Sequence, residues 1–338
     1  MTLATCACRT LLAITFIASV PWQMLHAAPG LNVSIGVFDP GVPADQSLHR
    51  DLGVFPRIRE IEAMLLPFAL REALAATGEW GAVRVVPGSE PAAELLVTGA
   101  IGRSDGEQLE MMIRAVDARG HVWLEKTFSG RPSGESLYQR VAAELGAAGA
   151  GLDERVLQNI VEVSLIRYGN ELAPSAFGEY LEPVTDGTFA IKRLPARNDP
   201  MVERIKRLRE TEYVITDAVD AKYQELHREV ASINDLWREY RRKNIEYQAG
   251  DAKRAQSNRS DAPRGSYESL RNIYDNYRYH RVTAQEQDRL AVAFDNEVGP
   301  RVAAMEERVA ELEGWVDDRY AEWHRILEEL FEAETAME

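Results

Sequence analysis

The chain has 338 residues, enough for two domains of ordinary size. Apolar residues make up 45% of it and charged residues 28%, which excludes wholesale disorder. With 39 Lys+Arg against 54 Asp+Glu the net charge is -15, so a broad nucleic-acid or anionic-lipid interface is excluded by repulsion.

Residues 1–27 read as an export signal. Arg9 supplies the positive start, and 11–20 (LLAITFIASV) is an apolar run too short to span a bilayer. Ala27 offers a small residue for cleavage; retention of the segment as an anchor stays open. Both cysteines, Cys6 and Cys8, precede the apolar run, so a cleaved chain has no disulfide and no thiolate site. Cys6 also stands on the wrong side of that run for a lipidation box.

Within 32–39 (NVSIGVFD), Val33, Ile35 and Val37 alternate as in a strand that ends at Asp39-Pro40-Gly41. From Pro56 a helix is expected on Ile58, Ile61, Leu65 and Phe68, with Leu70 and Leu74 continuing on a shifted stripe. Pro67 lies inside it and predicts a kink or two abutting helices; Gly78 predicts the stop. Strands follow at 82–86, 94–103, 110–116 and 122–128, the last three joined by Ser104-Asp105-Gly106 and 117–120 as an antiparallel meander. The glycines in 97–102 (VTGAIG) fall inside a strand, which points to close backbone approach or a bulge, not a phosphate loop. Ser136 and Gln139 fit a capping box for a helix to about Leu145.

The fold class predicted is α+β: a mixed sheet in the order β-α-β-β-β-β-α with helices on one face, then a long-helix hairpin or coiled coil. The expected divisions are 1–27 signal, 28–150 α/β domain, 151–198 a bridging helical segment with a short hairpin near Asp186-Gly187, and 199–338 long helices. In the last, Val219, Tyr223, Leu226, Val230, Ile233, Trp237 and Tyr240 repeat at heptad spacing. Residues 248–265 are polar and predict a flexible break, with helix resuming near Tyr267. Thr283 to Glu286 fits a second capping box, and Gly299-Pro300 predicts a break or kink. Val302, Met305, Val309, Leu312 and Val316 form a second seam, extended by Trp323. These seam residues are the interaction candidates; an intermolecular coiled coil is the alternative to an intramolecular hairpin.

Reactive constellations are not evident. There is no Walker loop, dinucleotide fingerprint or nucleophile elbow. His49, His121, His227, His280 and His324 have no partner His four residues away, so no catalytic residue, metal site or cofactor is expected. His227 and His324 are read as exposed positions beside the seams. Tyr267, Tyr274, Tyr277 and Tyr279 enrich the helical half in aromatics and are read as core packing, with a partner groove as the alternative.

Val33 to Phe38, 80–87 (WGAVRVVP), 95–101 (LLVTGAI) and 113–130 (IRAVDARGHVWLEKTFSG) together resemble a small envelope domain. That domain occurs at the N-terminus of the Tol periplasmic propeller protein, in curli-assembly lipoproteins and in penicillin-binding-protein activator lipoproteins. The resemblance spans about 100 residues, is structural and transfers no functional residue. The whole chain also looks like uncharacterised exported proteobacterial proteins with a helical tail. The resemblance implies a protein-binding role, so the function expected is a non-enzymatic periplasmic or outer-membrane-associated component that docks an envelope protein partner and uses its helices to space or oligomerise. A periplasmic small-ligand or stress sensor is the alternative, followed by a hydrolase with a dispersed site. Membrane attachment through a transmembrane helix of the mature chain is not expected.

Overall fold

The computed structural model describes residues 30–336 apart from 53, 88, 89, 91, 107, 132–134, 184–188, 194, 197, 198 and 258–265. The export signal, its cleavage point, both cysteines and Asp186-Gly187 lie outside the described residues. The side chains of Val230, Ile233, Val302, Met305, Val309 and His324 also lie outside them.

The protein is α+β, with a mixed five-stranded sheet. Strand β1 (Val33–Gly36) is followed by the short helix α1 (Ser47–Leu52) and the long helix α2 (Pro56–Thr77). Then come β2 (Val83–Val86), β3 (Leu95–Ser104), β4 (Leu109–Asp117), β5 (Val122–Gly130) and α3 (Glu135–Ala150). In space the strands run β2-β1-β3-β4-β5, with β1 parallel to both neighbours and β3, β4 and β5 antiparallel. All four residues of β1 are buried, as expected of a strand flanked on both edges and covered. β4 alternates instead: Leu109, Met111, Ile113 and Ala115 are buried, whereas Glu110, Met112 and Arg114 face outward on an open side. Leu66, Leu70 and Leu74 of α2 and Leu137, Val141 and Leu145 of α3 close the core against the inner face. Each such side chain, fully buried, contributes about 1.5–3 kcal/mol.

Glycine and aspartate fix the strand geometry. A Cβ on Gly99 would come within 2.8 Å of the Phe38 ring, so only glycine lets Phe38 into the core at this point of β3. The β3–β4 register shifts between Ile101 and Arg103, so Gly102 sits at a bulge. Asp117, fully buried, organises the β4–β5 turn. It accepts hydrogen bonds from the backbone of Arg119 and His121 and, at 3.0 Å, from the Trp123 indole. Gly120, with φ 87°, completes the reversal.

The chain continues through α4 (Glu154–Leu172), α5 (Pro174–Phe177) and a two-stranded hairpin of β6 (Leu181–Pro183) and β7 (Phe189–Ile191). Two very long helices follow, α6 (Pro200–Ser257) and α7 (Tyr267–Ala336), which pack against each other. At 1.5 Å per residue they measure roughly 87 and 105 Å.

Several local expectations are corrected. α2 is one helix and runs through Pro67. The proline leaves the carbonyl of Ala63 without its helical donor, and the backbone N–H of Phe38 supplies one at 3.0 Å. α3 starts at Glu135, so Ser136 is inside the helix and not its cap. Residues 248–257 are helical and the polar break is correspondingly shorter. Gly250 marks a close approach of α7, since a Cβ there would stand 3.2 Å from the Tyr279 hydroxyl. α7 passes unbroken through Thr283 and Pro300. A capping motif has no terminus to cap at Thr283. Pro300 has no N–H to give the Asn296 carbonyl, and both residues are exposed.

Candidate interaction site

The apolar stripe of α2 is double, and the two stripes serve different neighbours. Leu66, Leu70 and Leu74 face the sheet. Ile58, Ile61, Leu65 and Phe68 face the other way and form a platform for α6. Val219 and Tyr223 of α6 meet Phe68, Val85 of the edge strand and Val316 of α7 in one cluster. Leu226 and Trp237 meet Ile58, Ile61 and Leu65 in a second, with Leu312 of α7 packed alongside both. Trp237 is 1% exposed and meets Phe55 edge-on at 6.4 Å. Tyr240 is half-buried further along α6. Trp323 is half-buried against a third cluster, built on Tyr168, Leu172, Phe177, Ile205 and Leu208. Val219, Tyr223, Leu226, Trp237, Leu312 and Val316 are therefore brought together on the α2 platform, where α6 is the middle layer between the sheet domain and α7; Tyr240 and Trp323 lie away from it.

Polar groups that periodicity does not reveal tie the same layers. Asp220 of α6 accepts the backbone N–H of Val85 at 2.9 Å, filling a donor on the free edge of β2, and pairs with Arg71 of α2. Asp217 pairs with Arg84 on the same edge. Burial raises the Asp220 carboxyl above its ordinary value, against the pull of the Val85 hydrogen bond and Arg71.

Arg209 lies with its guanidinium carbon 4.7 Å from the ring centre of Tyr168 and 4.9 Å from that of Tyr213. It pairs with Glu90 and, at 2.9 Å, with Glu212. Burial works to depress its basicity, but Glu90, Tyr213 and Glu212 outweigh that and hold it charged. This residue nails α6 to the loop ahead of β3, since it also donates to the Ala92 carbonyl.

Glu62, 0% exposed, is the third polar tie. One carboxylate oxygen accepts from the Ser104 hydroxyl at 2.7 Å and lies 4.0 Å from Arg238 of α6; the other has no partner. Burial raises its carboxyl above the ordinary value despite Ser104, Arg238 and Arg59. Arg59 beside it donates to the carbonyls of Ile101 and Gly102 at the β3 bulge. Spacing does not show Ser104 or Arg238, because both come from distant parts of the chain.

A groove of about 470 Å³ opens between α6 and α7. Its floor is Leu226, Leu312 and Trp315, and its rim is Lys222, Glu225, Arg308 and Glu311. His227 is not an exposed neighbour of the seam as expected: it is half-buried, 4.9 Å from the Phe68 ring, and burial lowers its pKa. Among the described residues no group of three His, Cys, Asp or Glu is placed to hold a metal ion.

Past the sheet domain the surface changes character. α6 touches the domain at Arg241, which lies over Phe55 and donates to the Asp105 carbonyl. Residues 242–257 carry it on by roughly 24 Å. Alongside, the start of α7 turns Ser269, Asn272, Asn276 and Tyr279 to half-buried positions. Tyr267, Leu270, Ile273, Tyr274 and Tyr277 are 59–81% exposed. The reading of these tyrosines as core packing is corrected for Tyr267, Tyr274 and Tyr277: the inward positions are held by polar residues, and the apolar stripe points to solvent.

No protein-family model and no curated protein matches this chain. Among the described residues no helix is long and apolar enough to cross a membrane.

Proposed function

We propose that this chain is a non-enzymatic component of the bacterial envelope, exported by its N-terminal segment, which docks a partner protein on its α+β domain and uses its helices to space or oligomerise the assembly. The helical part acts as an antiparallel hairpin, a rod with heptad-spaced contacts. The observation that carries this reading is the seating of α6 on the α2 platform through Val219, Tyr223, Leu226 and Trp237. A helix held along one side by large buried side chains and by Asp220, Arg209 and Arg238 transmits the orientation of the domain to the far end of the rod. The likeness of the strand and turn motifs to the Tol, curli-assembly and penicillin-binding-protein activator domains supports an envelope partner for the domain. The surface on offer is the open side of the sheet, where Met112 is 45% exposed beside Glu110 and Arg114.

The test is expression of the tagged full chain in a bacterial host with cell fractionation, sequencing of the mature N-terminus and crosslinking in intact cells. The chain is expected in the periplasmic or outer-membrane fraction, crosslinked to an envelope protein. Met112→Glu is expected to abolish that crosslink while leaving the circular dichroism spectrum unchanged. A cytosolic chain, or a crosslink indifferent to Met112→Glu, overturns the proposal.

A further inference from the structure

The first turns of α7 are built inside out. The half-buried positions are Ser269, Asn272, Asn276 and Tyr279, spaced 3, 4 and 3, and Tyr279 meets α6 at Gly250. On the opposite side Tyr267, Leu270, Tyr274 and Tyr277 repeat at 3, 4 and 3, widened by Ile273. Their exposures are 81, 59, 62, 62 and 62% for Tyr267, Leu270, Ile273, Tyr274 and Tyr277. A free helix that needed only α6 would carry the reverse pattern, because the apolar stripe of an amphipathic helix turns toward its neighbour.

With about 200 Å² per tyrosine and somewhat less per aliphatic side chain, the stripe exposes on the order of 600 Å² of one contiguous helix face. That is at the top of what a monomer leaves open. Pairing the stripe with itself removes roughly 1,200 Å² from water, the lower bound for a stable specific interface.

We infer that this outward face of residues 267–277 docks a second copy of the chain, with the two α7 helices antiparallel about a two-fold axis. The heptad spacing sets the register: Tyr267 lies opposite Tyr277 of the second copy and Leu270 opposite Tyr274 of the second copy, while Ile273 lies at the seam's edge beside the aliphatic stem of Arg271 of the second copy. A parallel pair is disfavoured by Arg281, which continues the stripe four residues after Tyr277 and would meet its own counterpart at the same level. In the antiparallel register Arg281 falls beyond the first turn of the opposing helix. Arg271, at the stripe's edge, is partnered within its own helix by Asp275 at 3.8 Å. The inference rests on the scaffolding reading above and names the partner of its helices.

The experiment is sedimentation velocity with multi-angle light scattering on the purified full chain over a concentration series. A dimer is expected, and Leu270→Glu or Tyr274→Glu is expected to raise its dissociation constant about 100-fold or more, because each drives an unpaired charge into the seam. Tyr274→Phe is expected to preserve it. The circular dichroism and melting of all variants are expected to match the parent, since these side chains point to solvent. A chain monomeric throughout, or a dimer that survives both glutamates, overturns the inference. So does a photo-crosslinker at position 274 that yields no chain-to-chain product in the purified protein. Because the purified chain is used, a monomer removes this pairing without touching the envelope-partner test.

Discussion

Replacing Trp237 by Ala tests whether the rod is fastened to the domain. The side chain is 1% exposed among Ile58, Ile61, Leu65 and Leu226. Burying an indole of roughly 200–250 Å² at about 25 cal/mol per Å² gives an upper figure of about 5–6 kcal/mol. The indole N–H has no acceptor, and a buried unsatisfied donor subtracts about 1 kcal/mol or more. The net expectation for Trp237→Ala is a loss of about 3–4 kcal/mol, within the range for large-to-small core changes. Trp237→Phe removes the orphan donor while keeping most of the ring, so its loss is expected near 1 kcal/mol. Urea unfolding followed by far-UV circular dichroism measures both. Hydrogen exchange locates the effect: amides of 56–68 and 219–240 are expected to exchange faster in the alanine variant, ahead of those in β3 and β4. A loss below about 1 kcal/mol, with unchanged exchange across α2, refutes the docking account.

The other ties make their own predictions. Glu62→Gln is expected to raise the melting temperature near neutral pH. A carboxyl raised by burial contributes stability that is present below its ordinary value and lost as pH rises through the elevated one, so the advantage of Gln grows with rising pH and shrinks toward the ordinary carboxyl range in a melting series. Gly99→Ala places a methyl 2.8 Å from the Phe38 ring. It is expected to cost about 1–3 kcal/mol in denaturant titration, partly recovered by Phe38→Leu in the same chain. Asp220→Ala strands the Val85 N–H and the Arg71 charge and is expected to cost about 2–3 kcal/mol by thermal melting. Asp220→Asn keeps an acceptor for Val85 and is expected to cost less.

Legibility in the sequence followed the range of the interaction. The β4 strand sets Glu110 and Arg114 between apolar Leu109, Met111, Ile113 and Ala115, and both its turns carry the Asp and Gly that reversal requires, so local pattern was enough. Gly99 was legible as a close-approach glycine but not its partner, Phe38, which is 61 residues away and reaches it only through the sheet. Pro67 misled because the sequence shows the donor a proline removes and not the donor another segment supplies, here Phe38. The candidate seam was legible as a heptad stripe on α6, yet α2 covers it together with α7: periodicity reports that a face is buried and not what buries it. Glu62, Arg209 and Asp220 left no periodic trace at all.

By itself, then, the sequence determined what depends on neighbours a few residues apart: the α+β class, the strands and their turns, the long helical stretches and the acidic charge. Tertiary structure alone decided the placing of β1 between β2 and β3, the division of α2 between two partners and the outward turn of Tyr267, Tyr274 and Tyr277. Each of those depends on segments far apart in the chain, which local periodicity does not record.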